Sequence, residues 1–197
     1  MAVKVLIVED NPVARSFLGR VVRESFSDTI VITEASDLEA ARRNIATQSG
    51  ESTIAPTDPF KLILVDLELP DGNGMELLAE LARYPATKIV TTLYSDDDHL
   101  FPALQCGADG YLLKEDRFEV LVEELQKIVR GQPPLSPAIA RRLLTHFRHG
   151  SGAGSLPLPW RKWVSSRRAM AGDSGGWPRT IFCSSSTSTS KRSSFSR

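Results

Sequence analysis

Cysteine is scarce in this chain. Only Cys106 and Cys183 occur among 197 residues, far apart and in unlike surroundings. Two such residues exclude a disulfide-stapled scaffold and a cysteine-based metal knuckle. Long apolar runs are also missing: no stretch approaches the roughly 20 residues that span a bilayer. The opening Met-Ala-Val-Lys-Val-Leu-Ile-Val-Glu-Asp reaches two carboxylates after a brief apolar run, unlike a secretory signal. The expectation is a cytoplasmic protein with no membrane partner. Net charge is absent too, with 24 basic against 24 acidic side chains. That balance argues against a uniformly basic nucleic-acid binder and against an acidic solvating chain.

The neutral sum conceals a division. Residues 1–132 carry 13 Lys and Arg against 23 Asp and Glu, a charge of −10, whereas residues 133–197 carry 11 against 1, a charge of +10. The acidic part is long enough for a self-sufficient core, since domains typically run to about 100–150 residues.

Within that part, short β-branched runs alternate with amphipathic stretches. Val3–Val8, Ile30–Thr33, Leu62–Val65, Lys88–Thr92 and Gly110–Leu113 read as strands covered on both faces. Helical periodicity marks Pro12–Arg23, Asp37–Gln48, Gly74–Arg83, His99–Cys106 and Arg117–Arg130, the first with Asn11 as N-cap and Pro12 at its first position. Five strands alternating with five helices predict an α/β fold with a doubly wound parallel sheet. Thr47–Pro59, polar with two prolines, reads as a long surface loop.

After Arg130 the chain breaks at Gly131-Gln132-Pro133-Pro134. A linker helix is expected next, capped by Ser136, with Ile139, Ala140, Leu143, Leu144 and Phe147 on one face. His146 and His149 have no partners at ligand spacing and read as surface residues. The domain plan is therefore 1–131 as one folded unit, 132–149 as linker and amphipathic helix, and 150–197 as a basic tail. The tail holds 13 serines and carries +7, with no surviving period, and reads as disordered or as a disrupted output domain.

In doubly wound sheets ligands sit beyond the carboxyl ends of the strands. The residues there are Glu9 and Asp10, Asp66, Thr92 and Lys114. Three converging carboxylates repel one another and call for a cation, and hard oxygen ligands with room for water and phosphate suit Mg²⁺. A lysine and a hydroxyl beside one carboxylate complete what phosphoryl transfer onto that carboxylate needs. Thr91 precedes Thr92, and strand alternation decides which of them faces the site.

Three runs resemble one family closely: Val-Leu-Ile-Val-Glu-Asp-Asn-Pro at 5–12, Leu-Ile-Leu-Val-Asp-Leu-Glu-Leu-Pro-Asp-Gly-Asn-Gly-Met-Glu-Leu-Leu at 62–78, and Cys-Gly-Ala-Asp-Gly-Tyr-Leu-Leu-Lys at 106–114. With Lys88–Asp98 they resemble the receiver domain of two-component response regulators, chemotaxis-receiver-like and nearest the NarL/FixJ type, over residues 3–131. The resemblance implies a flavodoxin-like sheet of order 2-1-3-4-5 and Asp66 as phospho-acceptor. It implies Mg²⁺ held by Glu9, Asp10, Asp66 and the backbone carbonyl of Glu68. Lys114 would contact a phosphoryl oxygen. Thr92, fifteen residues before Gly107, would swing towards the phosphate, and Tyr111 would be the coupled switch aromatic. The partners implied are a sensor histidine kinase or phosphotransfer protein, with a possible homodimer. Glu115 stands where many family members have proline.

Two alternatives follow. One is a phosphorylation-controlled DNA-binding transcriptional regulator, although Gly150–Arg197 lacks a legible helix-turn-helix, so DNA is not read from it. The other is an aspartyl-nucleophile phosphatase. Against it, Leu67 and Glu68 follow Asp66, and no substrate cleft is legible beyond the acidic pocket. The reading is therefore a signalling module and not an enzyme.

Overall fold

A computed structural model of the chain describes residues 2–49 and 59–148. Five parallel strands form the central sheet: β1 (Val3–Val8), β2 (Ile30–Ala35), β3 (Leu62–Val65), β6 (Thr87–Thr92) and β7 (Gly110–Leu113). Two-residue strands β4 (Glu68–Leu69) and β5 (Gly72–Asn73) make a separate antiparallel hairpin. The sheet order is β2-β1-β3-β6-β7. Once the hairpin is set aside, this is the expected 2-1-3-4-5 order of a flavodoxin-like sheet.

Alternation along each strand divides the apolar residues between two cores, because successive side chains point to opposite faces. Val5, Ile7, Leu62, Leu64, Ile89 and Leu112 pack against α1 (Pro12–Ser25) and α5 (Phe118–Gln126) through residues such as Leu18, Val22, Leu121 and Leu125. Leu6, Val8, Ile63, Val65, Val90, Tyr111 and Leu113 face the other way. There they meet α2 (Leu38–Ser49), α3 (Gly74–Glu80), α4 (Asp97–Gln105) and α6 (Pro137–Arg148). Both faces are covered, so the central strands β1 and β3 carry apolar residues at nearly every position.

Element ends follow local chemistry. The side chain of Asn11 accepts from the N–H groups of Val13 and Ala14, and Pro12 occupies the first turn, as the sequence predicts. Helix α3 is shorter than the expected Gly74–Arg83. Past Glu80 the chain tightens into turns, Tyr84 N–H donating to Leu81 and Ala86 N–H to Tyr84, and is delivered to β6. The helix expected at Arg117–Arg130 ends its α form at Gln126 and continues as a 3₁₀ turn, Lys127–Arg130. Helix α2 takes up Thr47, Gln48 and Ser49, the start of the expected loop. Positions 50–58 of that loop lie outside the described residues, as do His149 and the tail 150–197.

The segment after Arg130 docks onto the sheet. Tyr111 N–H donates to the Pro134 carbonyl at 3.0 Å and Ser136 N–H donates to the Tyr111 carbonyl at 3.0 Å, so Leu135 bridges the free edge of β7. Leu135, Ile139 and Leu143 are buried with Tyr111. The Ser136 hydroxyl donates to Asp116 and accepts the Leu113 N–H at 2.8 Å. Gly110 permits this closeness: a Cβ there would lie 2.4 Å from Pro134 Cγ and 2.7 Å from the Pro134 carbonyl oxygen. Helix α6 meets α4, where Arg142 pairs with Asp97 at 3.1 Å and the His146 ring lies tilted against Phe101 at 4.1 Å between centroids. His146 is therefore not the isolated surface residue its sequence context suggests. Its partners come from a helix some fifty residues earlier, which helical spacing alone does not reveal.

Candidate functional site

The carboxyl edge of the sheet gathers the titratable side chains that end its strands. The parallel ladder continues one residue beyond each strand: Glu9 N–H donates to Ala35, Asp66 N–H to Val8, and Lys114 N–H to Thr92, at 2.8–3.0 Å. Backbone pairing therefore fixes where each side chain leaves the sheet. Glu9 is wholly buried and Asp66 is 5% exposed, while Asp10 faces solvent.

Lys114 joins them. Its Nζ donates to Asp66 Oδ2 at 2.6 Å and lies 2.5 Å from Glu9 Oε2. The contact with Glu9 is a close ion pair between two groups that the fold takes out of water. Burial pushes both carboxyls above their ordinary range against the pull of the ammonium, and for Glu9 the neighbouring Asp66 charge adds to the rise. Burial works against the Lys114 charge as well, but its bonds to Asp66 and Glu9 outweigh that and hold it above the usual lysine value.

One ammonium faces two buried carboxylates, with Asp10 close by. Oxygen atoms of Glu9, Asp10 and Asp66 all lie within 4.8 Å of one another. A set of hard oxygen donors on an open edge, carrying more negative charge than one ammonium offsets, fits a small divalent cation that keeps part of its water shell.

The expected switch residues lie apart from this cluster. The Thr92 hydroxyl accepts the Tyr94 N–H at 3.3 Å and so folds over the following loop. Tyr111 is wholly buried between the sheet and α6, its hydroxyl donating to the Tyr94 carbonyl at 2.9 Å. Glu68 is exposed, and its carboxylate accepts the Tyr94 hydroxyl at 2.6 Å. The structure thus brings Glu9, Asp10, Asp66 and Lys114 together, while Thr92 and Tyr111 meet at Tyr94.

Several residues around the site escape sequence reasoning. Arg15, one turn into α1, donates to the backbone carbonyls of Glu9 at 2.6 Å and Asp10 at 3.3 Å, and pairs with Glu34 at 3.1 Å. Its spacing from Asp10 is a weak signal, since a surface arginine on a helix is common. Asp71 accepts the N–H groups of Leu38 and Glu39 at 2.8 and 2.9 Å, which ties the loop after Asp66 to the start of α2 and lowers its own pKa. Gly74 is held by a steric constraint. A Cβ there would lie 2.0 Å from the backbone carbonyl oxygen of Asp66. Tyr94 has no sequence signal at all, because its three polar contacts come from three separate segments.

Comparison with known proteins supports the same assignment. The response regulator receiver domain family matches residues 5–126. The chain is 35% identical over 148 residues to the transcriptional regulatory protein YhcZ of Bacillus subtilis, covering 74% of this chain and 64% of that protein. It is 30% identical over 146 residues to the nitrate/nitrite response regulator NarL of Escherichia coli K12, covering 73% and 62%. The chain thus spans less than two thirds of the length of these relatives. Among solved structures, the isolated receiver domain of RcsB from Salmonella enterica matches with a TM-score of 0.60 at 20% identity, over 72% of this chain and 98% of that one. That likeness concerns the fold. No helix among the described residues is long and apolar enough to cross a membrane. A family match over most of the sheet, joined to full-length regulators at 30% identity and above, settles membership: the chain belongs to the response regulator receiver family of two-component phosphorelay signalling.

Proposed function

We propose that Asp66 is the phospho-acceptor of this receiver, taking a phosphoryl group from a sensor histidine kinase or phosphotransfer protein. The observation that carries the reading is the Lys114 ammonium, held between Asp66 and the buried Glu9 at the carboxyl edge of the sheet. Glu9, Asp10, Asp66 and the backbone carbonyl of Glu68 would hold Mg²⁺. When bound, the ion supplies positive charge against the oxygens of the transferring group. A carboxylate oxygen of Asp66 forms the new bond to phosphorus as the donor's bond breaks and the leaving group departs with its electron pair. Lys114 is drawn to an equatorial oxygen, where its charge offsets the charge that develops. The Thr92 hydroxyl leaves the Tyr94 N–H for the phosphoryl group, and the loop carrying Tyr94 shifts its contact with Tyr111. A phosphoryl group adds about −1.5 to −2 charges, enough to bias such a two-state element. The readout is a change in a dimer or partner surface within the cytoplasm.

The test exposes the protein to a small acyl phosphate with and without Mg²⁺ and follows intact mass. One added phosphoryl group is expected, dependent on Mg²⁺ and absent in Asp66→Asn. Folded wild-type protein that stays unmodified sinks the reading. Phosphorylation-controlled DNA binding is a second reading, favoured by relatives that are named transcriptional regulatory proteins. Binding to DNA that depends on base sequence at moderate salt would establish it.

A further inference from the structure

Asp10 is the exposed member of the acidic cluster, whereas Glu9 and Asp66 are buried. Buried carboxylates are placed by the packing around them. An exposed one is placed by its backbone, which here is the turn from β1 into α1. Repulsion works against that placement. Oxygens of Glu9, Asp10 and Asp66 lie within 4.8 Å of one another, and the Lys114 ammonium is drawn to Glu9 and Asp66. An unrestrained Asp10 would relieve the repulsion by turning out to water.

Arg15 restrains it. Its Nη1 donates to the Glu9 carbonyl at 2.6 Å and to the Asp10 carbonyl at 3.3 Å, and its Nε donates to Glu34 Oε2 at 3.1 Å. The two carbonyls belong to the peptide planes on either side of Asp10. Each plane is rigid, so holding both of them fixes φ and ψ of Asp10, and these set the direction in which its side chain leaves the chain. The guanidinium is itself anchored. Arg15 N–H donates to the Asn11 carbonyl at 2.9 Å in the first turn of α1, and the side chain is half-buried. Glu34 meets it from β2, where the sheet register sets Glu34 beside Ile7, two residues before Glu9. Glu34 also offsets the arginine charge, so the turn is held with little repulsion of an incoming cation.

We propose that Arg15 is a positioning residue for cation binding: its guanidinium, anchored on Glu34, locks the backbone on both sides of Asp10 and presents the Asp10 carboxylate to a divalent ion. The inference rests on the Mg²⁺ ligand set proposed above and adds a residue that touches neither the ion nor the phosphoryl group. A ligand already in place does not have to be ordered when the ion arrives, and the saving appears as affinity. Charge and position have opposite signs at this residue. If Arg15 acted only through its field, deleting it would tighten cation binding, whereas deleting a positioning group loosens it.

The test reads Mg²⁺ affinity of the full chain from the rise in unfolding midpoint across a Mg²⁺ titration, with no phosphoryl donor present. Arg15→Met keeps the apolar stem and deletes the donors. Its Mg²⁺ dissociation constant is expected to rise about tenfold, the scale of losing an outer partner of a metal site. Arg15→Lys keeps the charge but not the planar fork that reaches Glu34 and both carbonyls, and should lose affinity as well. With an acyl phosphate as donor, the Mg²⁺ concentration for half-maximal phosphorylation of Arg15→Met should rise by the same factor, while the rate at saturating Mg²⁺ is retained.

Unchanged or tighter binding in Arg15→Met overturns the proposal, as does wild-type affinity in Arg15→Lys. A saturated rate that falls along with the affinity overturns it too, because the whole site would then be disturbed. An Arg15→Met protein that does not fold is replaced by Arg15→Ala on the same measurements. A wild-type chain that binds no Mg²⁺ removes the ligand set and this inference together, whereas wild-type binding with unaffected variants removes this inference alone. A wild-type chain that binds Mg²⁺ yet takes no phosphoryl group removes the phospho-acceptor reading, and the affinities alone then decide the role of Arg15.

Discussion

The hydroxyl of Tyr111 donates to the backbone carbonyl of Tyr94 at 2.9 Å, and the hydroxyl of Tyr94 donates to Glu68 at 2.6 Å. Two aromatic residues thus connect the loop after Asp66 to a buried ring on the far strand, where α6 is docked. Tyr94 also stacks on His99 at 4.2 Å between ring centroids, which ties the same loop to the first turn of α4. A displacement near Asp66 therefore has a contiguous route to the packing of α4 and α6.

Tyr111→Phe separates the hydroxyl from the ring. The ring is wholly buried and packs beside Leu135 and Ile139, so phenylalanine retains nearly all of that contact. The expected loss is about 1 kcal/mol, the net value of one hydrogen bond. Tyr111→Ala should cost about 3–5 kcal/mol, as large aromatic truncations do. Urea unfolding of both variants checks the ranking. Near-equal losses would show that the bond to Tyr94, and not ring packing, holds this strand.

Much of this arrangement was legible in the sequence. Strand ends place Glu9, Asp66 and Lys114 because parallel strands stop together along one sheet edge, and the apolar runs β1, β3 and β7 mark their own limits. Helix ends were less legible, since α3 and α5 stop where tertiary contacts and turns intervene. Asp71 accepts the backbone N–H groups of Leu38 and Glu39, and Arg15 and Tyr94 reach the side chains of Glu34 and Glu68, pairings between distant segments that no local pattern encodes.

Magnesium should stabilise the resting protein. Burial lifts the Glu9 and Asp66 carboxyls above their usual values, with the Asp66 charge adding to the rise at Glu9, so protons compete with a cation for these oxygens. The expected sign is a Mg²⁺-induced rise in unfolding temperature that grows as pH climbs from the ordinary carboxylate range, about pH 4, to pH 8. At ten times the dissociation constant the gain is about 1.4 kcal/mol. Glu9→Gln should abolish most of it. A shift that is equal at both pH values, or retained in Glu9→Gln, contradicts the proposed ligand set.

The edge of β7 offers a local test. Gly110→Ala would place a methyl group within 3 Å of both the Pro134 ring and the Pro134 carbonyl, so the strap must move. Faster amide hydrogen exchange is expected at Tyr111 and Ser136, the two donors of this bridge. Amides pairing β1 with β3 should keep their protection, because β6 and β7 stand between that pair and the edge where the segment docks. Uniform loss of protection across the sheet would show instead that the strap is required for the whole fold.

Glu124 fastens the same strap from α5. Its carboxylate accepts the Leu135 N–H at 3.0 Å and contacts the Lys127 ammonium. Burial raises its pKa despite these partners. A raised folded-state value means that this group's contribution to stability is full below the unfolded carboxylate range, near pH 4.3 for glutamate, and falls as pH rises through the folded value. Glu124→Gln keeps an acceptor for Leu135 and removes the titration. Its stability relative to wild type should therefore improve from pH 4.5 to pH 7. Glu124→Ala leaves the buried Leu135 N–H unpaired and should cost about 1–3 kcal/mol more than the glutamine variant. Urea unfolding of the three proteins at both pH values measures each difference. A glutamine variant whose relative stability worsens towards neutral pH would show that the bonds from Lys127 and Leu135 outweigh burial at this carboxylate.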